Sequence, residues 1–95
     1  MFKVEKEVTV ANKQGLHARP AALFVQLVDK LNVSVTIQKE QEQINGKSIM
    51  ALLTLGAQYG TVLKLIVQGE DLSQVQKALQ AFEEFFGQQE EELNS

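Results

Sequence analysis

The chain reads as an α+β protein, an open-faced sandwich with helices gathered on one side of a sheet. Three observations predict it. Apolar residues alternate with polar ones in short stretches separated by helical patterns. The punctuation by turn residues gives the order strand, helix, strand, strand, helix, strand, helix. That order requires no β-α-β-α run of parallel crossovers, and the helical stripes return to one apolar sheet face.

The first strand follows from Phe2, Val4, Val8 and Val10, spaced by two so that one face is buried. Ala11 to Gly15 is a loop. From Ala18 to about Leu31 the spacing turns helical. Ala21, Phe24, Val25, Val28 and Leu31 form one stripe, which Leu23 and Leu27 are expected to widen. Val33, Val35 and Ile37 alternate with Asn32, Ser34 and Thr36, a second strand. Lys39-Glu40-Gln41 is a polar turn, and Glu42 to Asn45 is a weak third strand anchored by Ile44 alone. The turn lacks the glycine or Asn-Gly pair of a tight hairpin, so it does not specify the register.

Asn45-Gly46 resembles such a pair, but Ser48 to Leu53 follows directly and reads as a short helix capped by Ser48. Gly56 and Gly60 bracket a further turn. Thr61 to Gln68 is a strongly apolar strand with Leu63, Leu65 and Val67 on one face. Val62 and Ile66 lie on the other, interrupted by Lys64. Asp71 is a candidate N-cap with Gln74 completing a capping box. The last helix presents Val75, Ala78, Leu79, Phe82 and Phe86 to the core. Residues 1–87 are therefore expected to form a single domain, and the polar, acidic residues 88–95 a flexible tail.

Composition narrows the function. Ninety-five residues, 44% of them hydrophobic, suffice for one modest core. The absence of cysteine excludes disulfides, thiolate catalysis and cysteine-ligated metal centres, and fits a reducing cytoplasm. The start Met1-Phe2-Lys3-Val4-Glu5-Lys6-Glu7 has no signal-peptide pattern, and no apolar run approaches transmembrane length. The net charge of −3 is uneven: residues 1–30 carry five basic groups against three acids, and residues 70–95 seven acids against Lys77 alone. Such a chain, without a basic stripe and interleaved aromatics, is not expected to bind nucleic acid. One histidine without cysteine or spaced acids gives no metal site, and no cofactor is expected. No serine has the base and orienter of a hydrolase. Glu83-Glu84 and Glu90-Glu91-Glu92 read as solvated surface.

The chemistry concentrates in Gly15-Leu16-His17-Ala18-Arg19-Pro20, which holds the only histidine, arginine and proline of the chain. Gly15 permits a left-handed backbone before the helix. Pro20 fits the first helical turn, where its missing N–H costs no intrahelical bond. His17 is thereby placed at or beside the N-cap, where free N–H groups and the helix dipole favour an anionic group. Arg19 adds a planar fork suited to phosphate oxygens. A nucleophilic nitrogen, a cation and a helix N-terminus together make a site able to hold a phosphoryl group on histidine. The plainer alternative is a surface histidine without chemistry.

With these residues in view, the chain resembles the histidine-containing phosphocarrier (HPr) family of the bacterial phosphotransferase system over roughly residues 2–87. Two motifs carry the resemblance: Gly15-Leu16-His17-Ala18-Arg19-Pro20-Ala21 and Lys47-Ser48-Ile49-Met50, at the family's separation. It implies a four-stranded antiparallel sheet with three helices on one face. It implies that His17 accepts a phosphoryl group at Nδ1 from enzyme I, with Arg19 and the Ala18 backbone amide steadying it. The group then passes to A-type or B-type domains of sugar permeases, the protein being a carrier and not an enzyme.

Ser48 matches a regulatory phosphorylation position, which would add an HPr kinase/phosphorylase and a transcriptional regulator as partners. Its capping role explains the serine equally well. Ala22, Gln26, Ile49, Met50, Leu53, Thr54 and Gly56 match the family's docking surface. For Leu53 a core position is an equal alternative. Met50 suits a surface that repacks against several partners.

The sequence also departs from the family. Gln26, Asp29 and Ala51 stand where enteric members carry lysines. Asn12-Lys13 and Ala51-Leu52-Leu53 resemble the nitrogen-related branch, whereas Thr54-Leu55-Gly56 and Gly69-Glu70-Asp71 resemble the sugar branch. A non-catalytic binding module is the remaining alternative. Regulatory paralogues characteristically lose the histidine, and this chain keeps it. A shuttle using one face for successive partners is expected to be a monomer.

Overall fold

The structure is a computed structural model that describes residues 1–94, with side chains for residues 1–87; the flexible tail expected over 88–95 lies outside the fully described part. The elements follow in the expected order: β1 (Phe2–Thr9), α1 (Ala18–Lys30), β2 (Ser34–Lys39), β3 (Glu42–Asn45), α2 (Ile49–Leu55), β4 (Val62–Gly69) and α3 (Leu72–Asn94). The strands form one antiparallel sheet in the order β1-β4-β2-β3. The three helices complete an open-faced sandwich.

Register explains which sheet face is covered. Val4 pairs with Val67 and Val8 with Leu63, while Val67 also faces Val35 and Leu65 faces Ile37. These residues join Phe24, Val28, Leu52, Val75, Ala78, Phe82 and Phe86 in one core. One residue along, Glu5, Glu7, Lys64, Thr36 and Gln38 point to the other face. There Lys64 approaches Glu5 at 3.6 Å, an exposed pair that contributes little to stability.

The structure corrects several local expectations. Leu23 does not widen the buried stripe of α1 but is 40% exposed. It lies about 200° around the helix from Ala21, nearly opposite the core. The β2–β3 connection is a tight loop of Glu40 and Gln41, with Lys39 paired to Glu42. Its sharpness comes from Glu40 at φ +55, in the left-handed region despite its side chain. α2 extends to Leu55, beyond the expected Leu53. The Asp71 carboxylate caps α3 on the Ser73 N–H, so the capping-box bond to Gln74 is replaced by one to its neighbour.

The backbone of α3 also continues through Gly87, where a helix end was expected. Gly87 is not among the positive-φ glycines, whereas Gly56 takes the left-handed C-cap conformation that ends α2.

Candidate functional site

The site is assembled where β1 hands the chain to α1. Val10 is tied to the segment before β4 by two bonds, its N–H to the Thr61 carbonyl and its carbonyl to the Gly60 N–H, both 2.9 Å. The loop then turns at Gly15, whose φ is +77. A Cβ there would stand 2.8 Å from the Ala57 carbonyl oxygen, so only glycine fits in both conformation and space. The Leu16 N–H donates to that same Ala57 carbonyl at 2.8 Å, and the Leu16 side chain is buried. The loop is thus fastened to the segment that follows α2.

His17 is the N-cap of α1, with extended backbone (φ −99, ψ −169). Its carbonyl accepts the first intrahelical bond, from the Ala21 N–H at 3.0 Å. Its side chain makes no capping bond. The N–H groups of Ala18 and Arg19 precede the first helical bond and have no intrahelical acceptor, and Pro20 has no N–H to leave unpaired. Two free donors and the positive end of the α1 dipole therefore lie beside the imidazole.

The His17 ring is half-buried. Its Nε2 is sealed from solvent without a hydrogen-bond partner, so reaction at a ring nitrogen in this conformation falls to Nδ1. Arg19 is exposed, its guanidinium able to meet an anion from solvent. Chemically, the arrangement can take an anionic electrophile onto an outward nitrogen and surround its oxygens with donors. Among the described residues no group of three or more His, Cys, Asp or Glu could hold a metal ion. No helix there is long and apolar enough to cross a membrane.

Helices α1 and α2 pack against each other, which sets the second motif beside the first helix. Ser48 is the N-cap of α2, its hydroxyl accepting the Ala51 N–H at 3.1 Å. Leu52 and Leu55 face the core. Ile49, 40% exposed, and Met50, 72% exposed, face outward. Thr54 is exposed too, although its hydroxyl is engaged by the Met50 carbonyl at 2.8 Å. Gly56 is an exposed C-cap. Leu53 is half-buried and packs against the core, which is the core alternative for that residue. On α1, Ala22 is half-buried and Gln26 exposed.

Sequence reasoning missed Leu23, which shares a helical face with Arg19, Ala22 and Gln26 at i, i+3, i+4 and i+7 spacing. That spacing was the available signal. It also missed the burial of Asn12 and the exposure of Tyr59 on the segment supporting the loop. Nothing local marks either one.

A family model described as the PTS HPr component phosphorylation site matches residues 4–87. The chain is 44% identical over 79 residues to the HPr-like protein Crh of Halalkalibacterium halodurans, covering 83% of this chain and 94% of that protein. It is 41% identical over 83 residues to the phosphocarrier protein HPr of Xylella fastidiosa, covering 87% of this chain and 90% of that protein. Among solved structures, the phosphocarrier protein HPr of Bacillus anthracis superposes with a TM-score of 0.80 at 36% identity, over 88% of this chain and 96% of that one.

Proposed function

The chain belongs to the HPr family of phosphotransferase-system phosphocarriers, and we propose that His17 accepts a phosphoryl group from enzyme I and passes it to A-type or B-type domains of sugar permeases. The observation that carries this reading is the imidazole at the α1 N-cap with Nε2 sealed and Nδ1 available. In the forward step the Nδ1 lone pair forms the P–N bond as the phosphorus–donor bond breaks; in the onward step the acceptor takes the phosphoryl group and Nδ1 regains its lone pair. Arg19 and the N–H groups of Ala18 and Arg19 hold the phosphoryl oxygens during both steps. Donors placed at an open surface keep the phosphohistidine transferable, as a carrier needs.

The outward residues of α1 and α2 (Ala22, Gln26, Ile49, Met50, Thr54 and Gly56, with Leu53 at their edge) form the docking surface in this reading. Ser48 lies at its margin. A phosphate there would add negative charge at the N-terminus of α2, which the helix tolerates, and would act on docking instead. The protein works as a cytoplasmic monomer in this reading.

The similarity to Crh supports a second reading, a regulatory homologue acting through Ser48 docking and not through transfer. The retained His17 favours the carrier. A nitrogen-branch carrier would use the same chemistry with other partners.

Incubation with sugar-branch enzyme I, magnesium and phosphoenolpyruvate, followed by intact-mass measurement, tests the proposal. One acid-labile phosphoryl group is expected, absent in His17→Ala, whose thermal unfolding stays close to wild type because the ring is half-exposed. Labelling only by nitrogen-branch enzyme I would reassign the branch. No labelling by either would refute the carrier.

A further inference from the structure

Asn12 is the one fully buried polar side chain among the described residues, at 0% exposure. It lies five positions before His17 and is followed by exposed Lys13 and Gln14. Burying an amide is unfavourable unless its hydrogen bonds are made, and the Asn12 Nδ2 is buried with no partner. An apolar side chain would fill the same space without that penalty. The amide is therefore explained by what its oxygen does.

Asn12 Oδ1 accepts the Gln14 N–H at 2.9 Å, and the Asn12 carbonyl accepts the Gly15 N–H at 2.9 Å. One residue thus terminates two successive donors and curls the chain into an Asx-type turn. The curl ends at Gly15, φ +77. From there the Leu16 N–H reaches the Ala57 carbonyl, and the His17 N–H folds back on the Gly15 carbonyl at 3.1 Å. The seat of His17 descends from Asn12 through consecutive short hydrogen bonds. The bond to Asn12 Oδ1 is made by a side chain of the loop itself, so the turn is fastened from within.

We propose that Asn12 is a positioning residue for His17, its side-chain oxygen fixing the turn that holds Nε2 against the protein and leaves Nδ1 for the phosphoryl group. The inference rests on the carrier reading above and deepens it. A nucleophilic Nδ1 must carry the lone pair, so the ring proton must sit on Nε2. A ring held with Nε2 inward keeps Nδ1 on the reactive side. Without the turn the ring is free to rotate, and its two nitrogens become equivalent in access. Docking residues on α1 and α2 are untouched by this change.

The test compares Asn12→Ala, which removes the acceptor, with Asn12→Ser, whose hydroxyl can accept the same N–H. Transfer from phosphorylated enzyme I is measured alongside the imidazole nitrogen shifts of the free proteins and their unfolding curves. In Asn12→Ala, kcat is expected to fall roughly tenfold, with KM within about twofold, and the nitrogen shifts to move from an Nε2-protonated ring toward a mixture of tautomers. Asn12→Ser is expected to recover most of kcat and the wild-type shifts. Wild-type kcat in Asn12→Ala, a loss no larger than its unfolded fraction, or a serine variant that rescues stability but neither kcat nor the shifts would each overturn the proposal. Should wild-type protein take no phosphoryl group, the carrier reading fails. The nitrogen shifts still judge Asn12, since they need no partner enzyme.

Discussion

At the scale of single residues, the site depends on atoms that are absent as much as on those present. Gly15 has no Cβ because the Ala57 carbonyl oxygen would stand 2.8 Å from it, and its backbone sits at φ +77. The left-handed conformation alone costs an L-residue about 1–2 kcal/mol, and the close approach adds to it. Gly15→Ala is therefore expected to lower stability by about 2 kcal/mol or more and to slow phosphoryl acceptance together with it. Urea unfolding followed in parallel with phosphorylation checks both, and an unchanged midpoint would show that the loop yields without strain. Pro20 acts by a similar omission. Its missing N–H leaves the two amides of Ala18 and Arg19 as the free donors of the first turn.

At the scale of elements, α2 divides its seven residues between a core-facing side and an outward side, and Ser48 caps it from outside. Leu52 and Leu55 hold it to the core, while Ile49 and Met50 face out. Ser48 serves the fold through the bond from Ala51, so Ser48→Ala is expected to cost about 1 kcal/mol. Ser48→Asp keeps an acceptor at the N-cap and places a negative charge at the favourable end of the helix dipole. Its stability should stay within about 1 kcal/mol of wild type, yet its rate of phosphorylation by enzyme I should fall. The pair separates the cap from the proposed regulatory role: chemical denaturation reads the cap and transfer kinetics read the proposed docking surface. Equal transfer by Ser48→Asp and wild type would leave Ser48 with a capping role alone.

At the scale of the whole molecule, one aromatic cluster ties the helices over the sheet. Phe24 of α1 meets Phe82, Phe85 and Phe86 of α3 with ring centroids 5.1, 5.4 and 5.4 Å away. α3 in turn lies on β1 and β4. Removing the Phe24 ring opens a cavity at the junction of both helices, and Phe24→Ala is expected to cost about 3–5 kcal/mol. That is a large share of the stability of so small a domain. Leu23→Ala, one residue earlier on the exposed face, should change stability by no more than about 0.5 kcal/mol. Guanidinium unfolding of the two variants measures the contrast. Comparable losses would mean that α1 packs differently from the arrangement described.

The elements and the candidate site residues were legible in the sequence because the forces that make them act over a few residues. Period-two and period-3.6 patterns, Ser48 and Asp71 as caps, the turn between Gly56 and Gly60 and the crowding of His17, Arg19 and Pro20 into one turn all depend on near neighbours. Other features depended on segments far apart in the chain, and these only the tertiary structure decided. The strand order β1-β4-β2-β3 and the register of the Glu40-Gln41 turn follow from how one sheet face is covered. Leu23 points outward because the core fills the opposite side of α1. Asn12 is buried and His17 Nε2 sealed where the loop lies on a segment some forty residues later, fastened by Leu16 to Ala57. Local chemistry named the histidine; long-range packing chose which of its nitrogens faces out.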